Sequence, residues 1–208
     1  VKPATVPKLW PGETVVCIGT GPSLTAADVD ACRGRARVIA INDAWRLAPW
    51  ADVLYACDSR WVDHHKGAKG FEGLKYSMTA NQKKWPDWGI LRNDGVNGLC
   101  LDPTGLRTGR NSGAQAINLA IHLGAARILL LGYDMSRHGG KGHFFGEHPK
   151  NWPPSPFHSF LDSFAKLEQP LKDLGVEVIN CSRRTALKVF PQMPLEKALP
   201  PVPMEQAS

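Results

Sequence analysis

The chain of 208 residues is 43% apolar and carries 25 basic against 19 acidic side chains, a formal net charge of +6. That is apolar material for one substantial α/β core or two small ones, without any run approaching a membrane span. The opening Val-Lys-Pro-Ala-Thr-Val-Pro lacks the apolar block of a signal peptide, which predicts a cytoplasmic protein.

Cys17, Cys32, Cys57, Cys100 and Cys181 are odd in number and show no C-x-x-C spacing, against both a disulfide framework and a zinc site. The charges are interleaved and form no basic stripe with aromatics between, so the excess of cations suits a phosphorylated small molecule better than nucleic acid. Homo-oligomerisation stays open.

Residues 1–12 read as a polar, proline-rich arm. Val15 to Ile18 is a short apolar, β-branched run that predicts a buried parallel strand ending at Gly19. Gly19-Thr20-Gly21-Pro22-Ser23-Leu24 then makes a turn, and Thr25 with Asp28 three residues later predicts a capping box opening a helix over about Thr25–Cys32. Strand, glycine turn and helix start together form a candidate anion site, with phosphate as its guest.

Arg37–Ile41 predicts a second strand stopping at Asn42-Asp43, and Asp52–Cys57 a third stopping at Asp58-Ser59, before a helix from Arg60. Residues 66–110 are punctuated by eight glycines and predict an insertion with short strands such as Leu74–Met78 and Trp88–Leu91. Asn111-Ser112-Gly113 opens a buried helix that ends at Gly124, and Arg127–Gly132 predicts a central strand running into Tyr133-Asp134.

Residues 136–156 are too rich in glycine and proline for regular structure, and their aromatic and basic content predicts a lid over the site. A helix over Phe157–Leu174, with a restart at Pro170, leads to a last strand at Val176–Asn180. Residues 191–208 read as a mobile proline-rich tail.

Alternating strands and helices predict a Rossmann-like α/β fold: a single doubly wound, mainly parallel sheet over residues 13–190, with ligands beyond the carboxyl ends of its strands. Gly19, Thr20, Gly21, Pro22, Ser23, Asn42, Asp58, Asn111, Ser112, Gly113 and Asp134 all fall at those ends or at a helix start. Capping by Asn42 or Asp58 is the competing explanation. A dinucleotide fingerprint would need a third glycine where Leu24 stands, although Asp43 lies near the distance of its ribose-binding acid. A P-loop is excluded by the missing Gly-Lys-Ser/Thr ending, and no Ser-centred nucleophile elbow appears. His143, His148 and His158 lack ligand spacing, which predicts no metal.

The set Ile18-Gly19-Thr20-Gly21-Pro22-Ser23-Leu24, Ala40-Ile41-Asn42, Tyr55 to Ser59, Asn111-Ser112-Gly113, Ile128 to Asp134 and Val176 to Ser182 resembles the bacterial sialyltransferases of the Campylobacter type. It also resembles the wider domain family that includes archaeal 6-hydroxymethylpterin diphosphokinases. The first resemblance implies a nucleotide-sugar donor linked to CMP, a hydroxyl acceptor, no metal, inversion at the anomeric carbon and a histidine base.

Carried over by motif, Thr20, Gly21 and Ser23 lie at the donor phosphate and ribose, Asn42 on the sugar or phosphate, and Asn111, Ser112 and Gly113 around the nucleotide. Asp134 is implied near the base or ribose, and His158 as the base. The tyrosines that assist the departing phosphate in that family fall near Ser136 and His143, so His143, Lys141 or Arg137 would take their place. The second resemblance implies instead an ATP- and Mg²⁺-dependent pyrophosphokinase, with Asp58 or Asp134 on the metal and Lys141 neutralising charge. A nucleotide-binding module without catalysis is the third reading.

Overall fold

The structure, a computed structural model, describes residues 2–149, 152 and 155–202. Seven strands form one parallel sheet: β1 (Thr14–Ile18), β2 (Arg37–Ile41), β3 (Val53–Tyr55), β4 (Leu74–Ser77), β5 (Trp88–Ile90), β8 (Arg127–Leu131) and β9 (Glu177–Asn180). Between them, β6 (Arg92–Asn93) and β7 (Gly105–Leu106) make a separate two-stranded parallel ribbon. The spatial order is β5-β4-β3-β2-β1-β8-β9, so the chain reverses its direction of travel across the sheet between β1 and β8.

Burial on both faces is written in the alternation of the central strands. Val15 and Cys17 of β1, with Ile128 and Leu130 of β8, face a core completed by α3 (Ser112–Leu123), α4 (Phe157–Ala165) and α5 (Glu168–Asp173). Val16, Ile18, Leu129 and Leu131 face the other core, closed by α1 (Ala26–Asp30), α2 (Ser59–His64) and α6 (Leu195–Ala198). Strands apolar on both sides are what a parallel sheet covered by helices requires.

Several elements depart from the sequence reading. α1 is one turn long and stops at Asp30, and its box is half formed: Thr25 Oγ1 accepts from Asp28 N–H and donates to the Asp28 carboxylate at 2.6 Å. That carboxylate is drawn away from the reciprocal backbone contact by Arg183, which grips it through two nitrogens at 2.7 and 2.8 Å. The helix expected over Phe157–Leu174 is two helices, broken at Lys166-Leu167 ahead of Pro170. Pro170 sits at the third position of α5, where a backbone N–H has no intrahelical partner to lose.

Half of the segment 66–110 is no insertion at all, because β4 and β5 continue the main sheet with backbone pairing to β3. The rest is tied to α3 by Asn118, which bonds the backbone of Cys100, and by His122 Nε2, 2.8 Å from Gly105 O. The amino-terminal arm is fixed too: Trp10 and Val6 are buried, and Trp10 N–H donates to Leu123 O at 2.7 Å.

The tail expected to be mobile docks through residue 202. Leu195, Ala198 and Leu199 are buried, while Arg35 and Arg127 donate to the carbonyls of Pro200 and Ala198. Residues 203–208 of that tail, and 150, 151, 153 and 154 of the expected lid, lie outside the described residues.

Candidate functional site

A cavity of about 600 Å³ opens beyond the carboxyl ends of the strands. Its floor is laid by the residues that follow five neighbouring strands: Thr79 after β4, Cys57 and Asp58 after β3, Asn42 after β2, Gly19 to Pro22 after β1, and Gly132 to Met135 after β8. At the usual strand spacing, five ends span roughly 19 Å. The reversal between β1 and β8 lies inside this span, where a doubly wound sheet leaves a crevice that side chains do not fill.

Of the sequence-predicted site residues, Gly19, Thr20, Gly21, Pro22, Asn42, Asp58, Asn111, Ser112, Gly113, Asp134 and His143 line this one cavity. Ser23 does not line it but is bonded to Asp134 just behind the wall. Lys141 and His158 are exposed and stand outside the lining, although Phe157 and Phe160 on the same helix as His158 belong to it.

The glycine turn is built differently from a phosphate cradle. Gly19 N–H donates to Leu131 O and Gly21 N–H to Gly132 O, at 2.7 and 2.8 Å. The Ser23 N–H donates to Asp134 Oδ2 at 2.7 Å and its hydroxyl to Oδ1 at 2.9 Å. A Cβ on Gly21 would collide with the Asp134 carboxylate and come within 2.6 Å of Gly132 O. Gly21 is therefore a glycine so that the β8 exit can close against the turn, and the amides meant for a ligand are met from within the protein.

The free helix start is that of α3. Asn111 caps it, accepting from Ala114 N–H and donating to Gly109 O, both at 2.8 Å. Ser112 and Gly113 then face the cavity at the positive end of a twelve-residue dipole. Arg110, one residue earlier, lines the cavity with φ at 55°. Asn42 and Met135 also line it with positive φ, at 49° each, so three of the five described non-glycine residues in this region border one hollow. Such strain collects where a site requires it.

Capping explains part of the pattern. Asp58 N-caps α2, accepting from Arg60 N–H at 2.8 Å, and pairs with the Arg60 guanidinium at 2.8 Å. Burial draws its carboxyl upward, but the Arg60 bonds outweigh that and hold it below the ordinary carboxylate range. Asp58 and Asn111 are thus caps that also border the cavity.

The far wall comes from Gly142, His143, His148 and Trp152, and the segment of His143 and Phe144 is bonded to the β1 turn. Phe144 N–H donates to Thr20 O at 3.0 Å, and His143 Nδ1 lies 2.9 Å from Thr20 Oγ1. His148 is 4.4 Å from His143 between ring centroids, and Trp152 continues the series 5.3 Å from His148 with Arg60 5.7 Å from its own ring. Burial, with the neighbouring His148, depresses His143 to about 4, and burial lowers His148 as well. Both rings are neutral at pH 7.

His148, Trp152, Arg60 and Arg110 are cavity residues that sequence reasoning left unassigned. Only an unpaired aromatic density in the 136–156 segment pointed at the first two. No group of three or more His, Cys, Asp and Glu that could hold a metal occurs among the described residues. Asp58 is bonded to Arg60 and Asp134 to Ser23, so each of the two acids given as alternatives for Mg²⁺ in the pyrophosphokinase reading already has a partner within the protein. No helix among the described residues is long and apolar enough to cross a membrane.

No family model matches the sequence, and no curated protein matches it. Among solved structures, the chain is similar to the MAf glycosyltransferase from Magnetospirillum magneticum AMB-1, with a TM-score of 0.66 at 13% identity, over 94% of this chain and 36% of that one. It is also similar to the sialyltransferase CstII from Campylobacter jejuni, solved with cytidine-5'-monophosphate, with a TM-score of 0.57 at 16% identity, over 87% and 84%. The chain spans about a third of the length of the Magnetospirillum protein. At these identities the likeness is one of fold, and the fold is the parallel α/β architecture of these glycosyltransferases.

Proposed function

We propose that the chain is a nucleotide-dependent glycosyltransferase that takes a CMP-linked sugar as donor and a hydroxyl group as acceptor, without a metal. One observation carries this reading: the Gly21 turn, the polar residues Asn42, Asp58 and Asp134 at the ends of separate strands, and the start of α3 converge on a single cavity at the switch point of the sheet. The solved likeness bound to cytidine monophosphate supports the choice of nucleotide.

In this reading the donor phosphate rests on the Ser112 and Gly113 end of α3, with Arg110 supplying the opposing charge, and the β1 turn forms the adjoining wall. His148 takes the proton of the acceptor hydroxyl as that oxygen attacks the anomeric carbon and the phosphate leaves. Its neutral ring borders the cavity and can accept a proton at pH 7. His143, more deeply depressed, is a poor base and orients the wall through Thr20.

Thermal unfolding with CMP, CDP, ATP and NAD, each with and without Mg²⁺, tests the donor. CMP without metal at a hundredfold excess over its Kd is expected to add about 2.7 kcal/mol, a rise of roughly 5–10 °C for a domain of this size. Stabilisation by ATP only in the presence of Mg²⁺ would favour the pyrophosphokinase reading, and no stabilisation by any nucleotide would overturn both. His148→Ala is expected to lower turnover by about 10²- to 10⁴-fold with CMP affinity nearly unchanged, while His158→Ala retains turnover. The reverse pattern in a transfer assay would return the base to α4.

A further inference from the structure

Asp134 stands at the seam between β1 and β8 with its side chain fully buried. Both carboxylate oxygens are held by Ser23, and the residue borders the cavity beside the Gly19–Gly21 turn. His138 Nε2 approaches Oδ2 at 3.8 Å. The carboxylate thus occupies the place where a strand-turn-helix unit offers its amides to a phosphate. It puts a fixed negative charge behind the wall on which a ligand's anionic end would lie.

The other charges of the cavity do not cancel it. Asp58 and Arg60 neutralise each other after β3, and Arg110 is exposed at the rim where counterions screen it. A buried charge is screened far less. Burial pushes the Asp134 carboxyl upward while the two Ser23 donors favour its ionised form.

We propose that Asp134 is an internal anion that sets how many phosphoryl groups the site admits. A nucleoside monophosphate group rests on the start of α3, and a second or third phosphoryl group is repelled from the β1 turn. This rests on the nucleotide-sugar reading above and adds a specificity-determining residue to it. It also gives a physical reason for a monophosphate-linked donor over a diphosphate-linked one, which the strand-end motifs alone do not supply.

Calorimetric titration with CMP, CDP and CTP in the absence of divalent cations tests it. The wild-type chain is expected to bind the three with affinity falling about tenfold per added phosphoryl group, the scale of one extra charge near a buried one. Asp134→Asn, isosteric and still able to accept from Ser23, is expected to bind all three within about threefold of one another. Ser23→Ala removes a hydroxyl but no charge, and is expected to keep the wild-type order.

If CMP itself fails to bind the wild-type chain, the glycosyltransferase reading falls. If CMP binds but affinity stays level or rises from CMP to CTP, the role of Asp134 alone is overturned, whether or not the variants fold. Retention of the wild-type order in a folded Asp134→Asn variant overturns it equally.

Discussion

His143 couples the stability of the site to acidity. Its ring is buried against Phe145 and His148 and is held near 4, whereas an unfolded histidine titrates near 6.5. Between those values the unfolded chain takes up a proton that the native chain refuses. The stabilisation is therefore complete above about 6.5 and is lost as pH falls toward 4, by at most about 3 kcal/mol. Chemical denaturation at pH 7 and 4.5 is expected to show His143→Gln, which can still bond Thr20, losing about 2–3 kcal/mol less than wild type on acidification. Equal losses would mean that the acid sensitivity comes from other groups. At this scale the sequence was legible wherever a polar residue followed a strand, as with Asn42 and Asp58. It was illegible for His148 and Trp152, which reach the wall through an irregular segment without a period to read. Asp134 lines the cavity at the end of its strand, but its bond to Ser23 depends on how closely Gly21 lets two backbones approach, and spacing carries no such information.

Among the elements, the arm before β1 makes the strongest claim on stability. Trp10 is buried against the core on the α3 face, and its N–H caps the carbonyl of Leu123 just before the left-handed Gly124 ends that helix. Trp10→Ala is expected to cost about 3–5 kcal/mol in equilibrium unfolding, the range for emptying a buried aromatic site. A cost below 1 kcal/mol would make the arm an ornament. The helix it supports presents Ser112 and Gly113 to the cavity, so weakened nucleotide binding should accompany the loss. Central strands and α3 were readable because their apolar runs and terminal glycine are strong local signals. β4 and β5 resembled an insertion because they are short and fenced by glycines. What makes them sheet strands is the partner edge offered by β3, a non-local fact.

For the molecule as a whole, fold class followed from the alternation of strand and helix, but not the order of the strands. That order is decided by the crossover that carries β8 past α3 to the far side of β1, and it is this crossover that opens the cavity. The same ordering leaves β5 and β9 as the outer ribs, and each is covered in part. Ala4 N–H donates to the outward carbonyl of Ile90, while Asn180 exchanges bonds with Pro191 and Met193. An uncovered rib invites a neighbouring chain to zip onto it. With terminal segments bonded to Ile90 on one rib and Asn180 on the other, a second copy seeking to associate finds the backbone ladder on each side shortened.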